Sequence, residues 1–461
     1  MRTIISNAEV EGRLASVVIE GDRIVAVDES EVSDSDDVID AKGAALIPGL
    51  HDHHVHLLAM AAARNGVDLR QFVSPEEVDV ALRTASSSVG DRWLRASGYD
   101  EYRHGPLDRN RLDAVVGTTK VRVQHRSGLA WVLSTAGLDA VIVNEVPSGV
   151  ERESDGNFTG RLLRLDAWLA ERVGMSAPSF DGLGAELSAL GITGVTDATP
   201  DIGAGRLEIL RRAVDDGSLP QALTFLGVSE SERELVAPWA TVGPAKLLVD
   251  EIIGLDPDAL AKQIASRHEA GRAVALHAVS RAETVTAATA LALAGMVSGD
   301  RIEHGSVLPS DLDTILRDGG VTVILQPGLV RERGDHYLEV VADEDLSVLH
   351  RAASLESAGV RIAVGSDAPV SSIDPWAAIA AASTRTTRSG RSLGTDERVD
   401  AATALGWYLT EPLDPGGPIR RVRVGERADL CLLGAPLSAV LSKPDASFVR
   451  KTWVAGRLVH S

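Results

Sequence analysis

The feature that most constrains this chain is a rhythm through its middle, where strand-sized apolar runs alternate with Ala/Leu-rich stretches of helical period. The runs are "GITGVTDA", "AKLLVDE", "AVALHAV", "DRIEHGS", "VTVILQP" and "RIAVGSD", and helices over Asp258 to Ala270 and Ser280 to Ala294 fit two of the intervals. Repeated βα units imply an α/β fold with a parallel sheet and helices outside it. The spacing alone leaves both an open doubly wound sheet and a closed barrel standing.

The two ends read differently. Residues 1–47 are short alternating strands, "TIISNAEV", "LASVVIEGDRIVAVDE" and "AALIPG", punctuated by Gly21-Asp22 and Gly43. The far end repeats the pattern, with "IRRVRVGERADLCLLG" and "FVRKTWVAGRLVHS" broken at Gly425-Glu426 and Gly456-Arg457. Two β-rich ends are expected to pair into one small sandwich, with 1–47 and 415–461 as its halves and 48–414 as the βα body. Within about 60–185 the pattern is less regular, and "SGVERESDGNFTGRLL" reads as a polar loop, so an insertion or cap is expected there.

Composition narrows the function classes. Lys+Arg number 46 against 66 Asp+Glu, a net charge of -20, which argues against nucleic acid or an anionic membrane surface as partner. The apolar runs are too short to span a bilayer. A single cysteine, Cys431, excludes an intrachain disulfide. With no secretory pattern at the start, a cytoplasmic protein acting on a small molecule is expected, with self-association of the chain left open.

The stretch "PGLHDHHVHLL", Pro48 to Leu58, holds four of the twelve histidines. Residues two apart on a strand share a face, so His54 and His56 project together and can converge on one cation, with Asp52 below them. His51 and His53 then fall on the other face, as hydrogen-bonded packing residues.

More polar residues close later strands. His277 ends "AVALHAV", His304 ends "DRIEHGS" and Asp367 ends "RIAVGSD". Catalytic groups of barrels occupy that position. Imidazole and carboxylate ligands suit a catalytic divalent metal, since structural zinc prefers the cysteines this chain lacks. Lys246 is an odd occupant of an apolar strand, because a buried ammonium is costly unless paired or neutralised. A neutral amine beside cations can take up carbon dioxide as a bridging carbamate; a lysine reaching solvent or pairing with Asp250 is the competing reading.

Together these positions resemble the amidohydrolase superfamily, with its strand-one HxH, strand-four lysine, histidines ending strands five and six, and aspartate ending strand eight. "RIEHG", "VGSDAPVSSIDPW", "GITGVTDA" and "GYDE" at Gly98 to Glu101 are similar to the amidohydrolase-3 branch, which includes N-substituted formamide deformylases. The likeness covers nearly the whole chain and implies a (β/α)8 TIM-like barrel beside a composite β-sandwich. It also implies His54 and His56 on one metal with Asp367, His277 and His304 on the other, and carboxylated Lys246 between them.

One or two divalent ions are expected, zinc ahead of iron, manganese or cobalt. Asp367 would accept the proton of the attacking water and pass it to the leaving amine. Where the branch shows a "GHSAWVNS"-like segment, this chain has "RSGLAWVLS" from Arg126 to Ser134, and His125 and Arg126 are the candidates to compensate in binding substrate. Three functions compete: hydrolysis of an amide-like C–N bond; the same site used for decarboxylation, isomerisation or deamination; and a binding protein without turnover. Fold does not choose among them.

Overall fold

In the computed structural model, residues 2–28, 37–143, 146–174, 177–251 and 254–461 are described; Glu29, at the end of one expected strand, lies outside them. The chain divides into two compact units, one made of Met1–His56 with Phe180–Ser461 and the other of Leu57–Ser179.

Eight short strands carry the first unit: β1 (Leu50–Val55), β2 (Ile192–Asp197), β3 (Ala222–Phe225), β4 (Ala245–Leu248), β5 (Val274–Ala278), β6 (Arg301–His304), β7 (Thr322–Leu325) and β8 (Arg361–Val364). All pair in parallel. One sheet runs β1-β2-β3 and ends on the two-residue strand Thr241–Val242; the other runs β4-β5-β6-β7-β8. Every residue of β1, β2, β6 and β7 is buried, as parallel strands covered on both faces require.

Backbone bonds join the two sheets at both edges. Lys246 donates to the Leu226 carbonyl at 3.1 Å, next to β3. Beyond β8, the Asp367 amide donates to the His54 carbonyl at 2.7 Å and the His56 amide to that of Ala368 at 2.9 Å. Gly365 permits this approach to His54, since a Cβ there would stand 2.5 Å from the His54 nitrogen.

The intervening helices begin where the sequence signals them. Asp256 caps Pro257–Glu269 by accepting from the Ala259 amide, with Pro257 opening the first turn. Ser280 and Glu283 form a reciprocal capping box on Arg281–Ala294.

The β-rich ends make two four-stranded sheets. Arg2–Val10, Arg13–Glu20, Arg23–Val27 and Asp37–Asp40 form one; Leu46–Pro48 joins Leu430–Leu433, Val449–Val454 and Arg457–His460 in the other. A single apolar cluster takes Ile5, Val17 and Ile24 from the first and Leu430, Leu432 and Trp453 from the second. "IRRVRV" is not the strand its alternation suggests. Only Ile419 of it belongs to a strand, Asp414–Ile419; Arg420 to Val424 are irregular, and the Arg420 guanidinium donates to the Gly49 carbonyl at 2.7 Å.

The second unit is a six-stranded sheet. Helices Pro75–Val89 and Arg109–Val116 share one apolar cluster with it, and Thr135–Val141 and Asp166–Val173 share another. Here the expected polar loop is instead a hairpin, Val150–Arg152 with Phe158–Leu163. Its polar tip concealed it: Asp155 accepts from the Asn157 amide at 2.9 Å and Gly156 takes φ 89°, while Val150 and Leu162 are buried in the core.

Candidate metal centre

Asp367 lies three residues past β8, and His54 and His56 stand at the end of β1. His56 Nε2 is 3.2 Å and His54 Nε2 is 3.6 Å from Asp367 Oδ1. Among the described residues these three bring their ligand atoms within 4.8 Å of one another. His304 stands beside them, its Nδ1 4.0 Å from Asp367 Oδ2 and its ring centroid 4.7 Å from that of His54 and 4.6 Å from that of His277.

Two of these residues have left-handed backbone, His304 at φ 74° and Asp367 at φ 58°. Such conformations cost energy for residues with a Cβ and collect at functional sites. At His304 the consequence is visible. Neighbours on a regular strand point to opposite faces, yet Glu303 bonds His54 and the His304 ring packs on His54 as well.

The imidazoles are oriented by their second nitrogens. His54 Nδ1 bonds Glu303, His56 Nδ1 lies 3.1 Å from the Thr199 hydroxyl, and His304 Nδ1 lies 3.1 Å from Gln326 Oε1. A carboxylate and an amide oxygen only accept, so His54 and His304 carry their proton on Nδ1, leaving Nε2 with a lone pair. In His54 that Nε2 is buried without any hydrogen-bond partner.

Burial, then the nearby Lys246, holds His54 well below the ordinary imidazole range and brings His277 down to about 4. Burial raises the Asp367 carboxyl, but the hydrogen bond from His56 and the field of the neighbouring His304, His56 and Lys246 outweigh it and lower it. A neutral imidazole, as burial favours at His54 and His277, and an ionised carboxylate are the protonation states that ligate a cation.

Lys246 Nζ is buried with no hydrogen-bond partner, which removes both the lysine reaching solvent and the hydrogen bond to Asp250. Burial lowers its ammonium to about 8, partly offset by Glu303. Orphaned Nζ and Nε2 atoms are expensive unless something binds them. The donor set of imidazole nitrogens, carboxylate and amine, with no thiolate, fits a borderline or hard divalent cation.

The packing residues also fall into place. His51 Nε2 lies 2.8 Å from the Thr196 hydroxyl, and His53 Nε2 lies 3.1 Å from that of Thr410. Asp52 accepts from the His54 and Ser366 amides, both at 3.0 Å, tying β1 to the loop after β8, and burial pushes its carboxyl up to about 7. His125 and Arg126 belong to the second unit. There His125 bonds Glu101 and Ser127, each at 2.7 Å, and Arg126 pairs with Asp100.

Sequence reasoning passed over Glu303, Arg301, Thr199 and Gln326. The signal for the first two was present in "RIEHG", where a carboxylate and a guanidinium share one face of an otherwise buried strand.

The chain is similar to known proteins over nearly its whole length. The family model Amidohydro_3, described as amidohydrolase family, matches residues 37–460. The N-substituted formamide deformylase of Arthrobacter pascens is 26% identical, over 96% of this chain and 94% of its own length. The crystal structure of an uncharacterized metal-dependent hydrolase from Pyrococcus horikoshii OT3 superimposes with a TM-score of 0.75 at 20% identity, covering 97% of this chain and 99% of that one. One from Pyrococcus furiosus gives 0.72 at 19% identity, covering 97% and 100%.

Proposed function

The chain belongs to the amidohydrolase family, and we propose that His54, His56, Lys246, His277, His304 and Asp367 are the ligands with which it hydrolyses an amide-like carbon–nitrogen bond of a small molecule. It is an enzyme, a metal-dependent hydrolase of C–N bonds other than peptide bonds. The observation that carries the site assignment is the convergence of His54 Nε2, His56 Nε2 and Asp367 Oδ1, with the first of these orphaned in the interior. The strand pairings and the bonds at both sheet edges support a (β/α)8 barrel as the scaffold. The shared apolar cluster supports one β-sandwich made from the two ends.

A divalent cation held by these residues, zinc first among the candidates, would supply Lewis-acid polarisation of the scissile carbonyl and acidification of a water. Asp367, the carboxylate that among the described residues faces both strand-one histidines, would accept a proton at Oδ1 or Oδ2 from the water whose oxygen bonds the carbonyl carbon, and return it to the leaving nitrogen as the C–N bond breaks and a neutral amine departs. Lys246 is proposed as a carbamate. Its neutral Nζ would form a bond to the carbon of CO2 and lose a proton to solvent, and the resulting anion would give the site a negative group able to offset the repulsion between cations held there.

The substrate contacts assigned to His125 and Arg126 rest on the departure of "RSGLAWVLS" from the family pattern, and the same departure argues for a substrate unlike that of the formamide deformylase. A cytoplasmic location goes with this reading and fits a single, buried cysteine. Among the described residues no helix is long and apolar enough to cross a membrane.

The test is metal analysis of protein purified without chelator, beside a panel of N-formyl and bulkier N-acyl amides scored for released amine and carboxylate. Stoichiometric metal with release of both products is expected. Loss of neither metal nor turnover in His54→Ala and His56→Ala would refute the assignment, because a site of convergent ligands fails when one is removed.

A further inference from the structure

We propose that Glu303, itself anchored by Arg301, is the positioning residue of the cation site: its carboxylate fixes the ring and the tautomer of His54. This rests on the reading that His54 ligates metal. Glu303, Arg301 and His54 are each fully buried. The two carboxylate oxygens have different partners, Oε1 taking the Arg301 Nε–H and Oε2 the His54 Nδ1–H. Arg301 also donates through Nη2 to the His53 carbonyl at 2.7 Å, so one guanidinium holds β6 against β1 at the residue next to the ligand.

That arrangement determines which nitrogen of His54 is bare. With the proton on Nδ1, the hydrogen bond to Glu303 forms and Nε2 offers its lone pair to the space 3.6 Å from Asp367 Oδ1. The other tautomer would set an unprotonated Nδ1 against a carboxylate oxygen, two acceptors facing each other in the interior, and would aim an N–H into the cation site. Only the first tautomer is compatible with both neighbours. A carboxylate behind an imidazole also makes its distal nitrogen a stronger donor to metal.

The Arg301 guanidinium, a permanent cation, lies against Oε1 of that carboxylate, and both groups are buried. A buried ion pair by itself is a weak source of stability and can often be replaced by apolar residues at little cost. A purely structural pair and a positioning pair therefore predict different outcomes when both charges are removed together.

The experiment measures two quantities on each variant: affinity for Co2+, followed by its visible absorption in competition with a chelator, and the melting temperature of the metal-free protein. R301M/E303L, which removes the charges and the acceptor, is expected to melt near the wild type yet bind Co2+ roughly 10- to 100-fold more weakly. R301M/E303Q restores an acceptor for Nδ1–H without restoring charge, and is expected to recover most of the affinity. E303D keeps the carboxylate charge beside Arg301 but withdraws it from His54; a loss of about tenfold or more is expected, and it serves if the double variants fail to fold.

Wild-type Co2+ affinity in a folded R301M/E303L or in E303D would overturn the proposal. So would an R301M/E303Q no tighter than R301M/E303L. H54A separates the two levels of inference: if it binds Co2+ like the wild type, the ligand assignment fails and the positioning role fails with it, whereas weak binding by H54A beside tight binding by E303D sinks the positioning role alone.

Discussion

At the scale of single residues, Lys246 and Asp367 carry the chemistry in opposite senses. Burial brings the Lys246 ammonium to about 8 from an ordinary 10.5. The folded state then releases its proton first, so the unfolded chain holds more protons between those values and stability rises with pH across that window. Metal-free wild type should gain stability from about pH 8 towards 10.5 relative to Lys246→Met, as read by chemical denaturation at several pH values; parallel curves would contradict the buried amine. Carbamate formation needs the neutral amine as well. Recovery of activity by stripped protein given Zn2+ at constant dissolved CO2 should rise through about pH 8 and level off. Asp367→Asn should fold and lose most turnover, because an amide cannot accept the proton; a loss under tenfold, about 1.4 kcal/mol of barrier, would assign the base elsewhere. For His125→Ala, a raised KM at unchanged metal content is the expected result, and unchanged kinetics would remove it from substrate binding.

Single elements deliver these residues only where the backbone permits. The loop after β8 reaches β1 because Gly365 has no side chain: a Cβ would stand 2.4 Å from the His54 Cβ and 2.5 Å from its nitrogen. Neither strand can retreat without breaking the bond from the Asp367 amide to the His54 carbonyl. Gly365→Ala should cost about 3 kcal/mol or more, at or above the upper end for overpacking, and should weaken metal binding because the displaced pair carries His54 and Asp367. Denaturation and metal content measured together check this; a stable variant that holds metal normally would show that the strands separate freely. His304 teaches a related lesson. The alternation rule assigns Glu303 and His304 to opposite faces, and the left-handed turn at His304 overrides it.

For the whole molecule, the residues that close the first unit come from both ends of the chain. Leu46–Pro48 pairs with Leu430–Leu433, and Trp453 is buried in the same cluster as Ile5, Val17 and Ile24. The last forty or so residues therefore complete a core that the first forty begin. Trp453→Ala should lower stability by about 3–5 kcal/mol, as expected for emptying a large aromatic site. Urea unfolding provides the measurement, and a change under about 1 kcal/mol would mean that the two ends do not depend on each other.

What the sequence determined by itself is whatever has a local period or a fixed spacing. The βα alternation, the capped helices and the HxH pair are written in residues a few positions apart, and the expected helices differ from the observed Pro257–Glu269 and Arg281–Ala294 by at most one residue at each end. The packing roles of His51 and His53 followed from strand alternation alone. The tertiary structure decided everything that depends on which distant residue arrives beside which. Glu303 reaches His54 across 249 positions of chain and Asp52 accepts from Ser366 across 314, distances over which no periodicity carries information. It also decided protonation, since whether Lys246 sheds its proton or Glu303 keeps its charge depends on the dielectric and the charges that folding assembles around them.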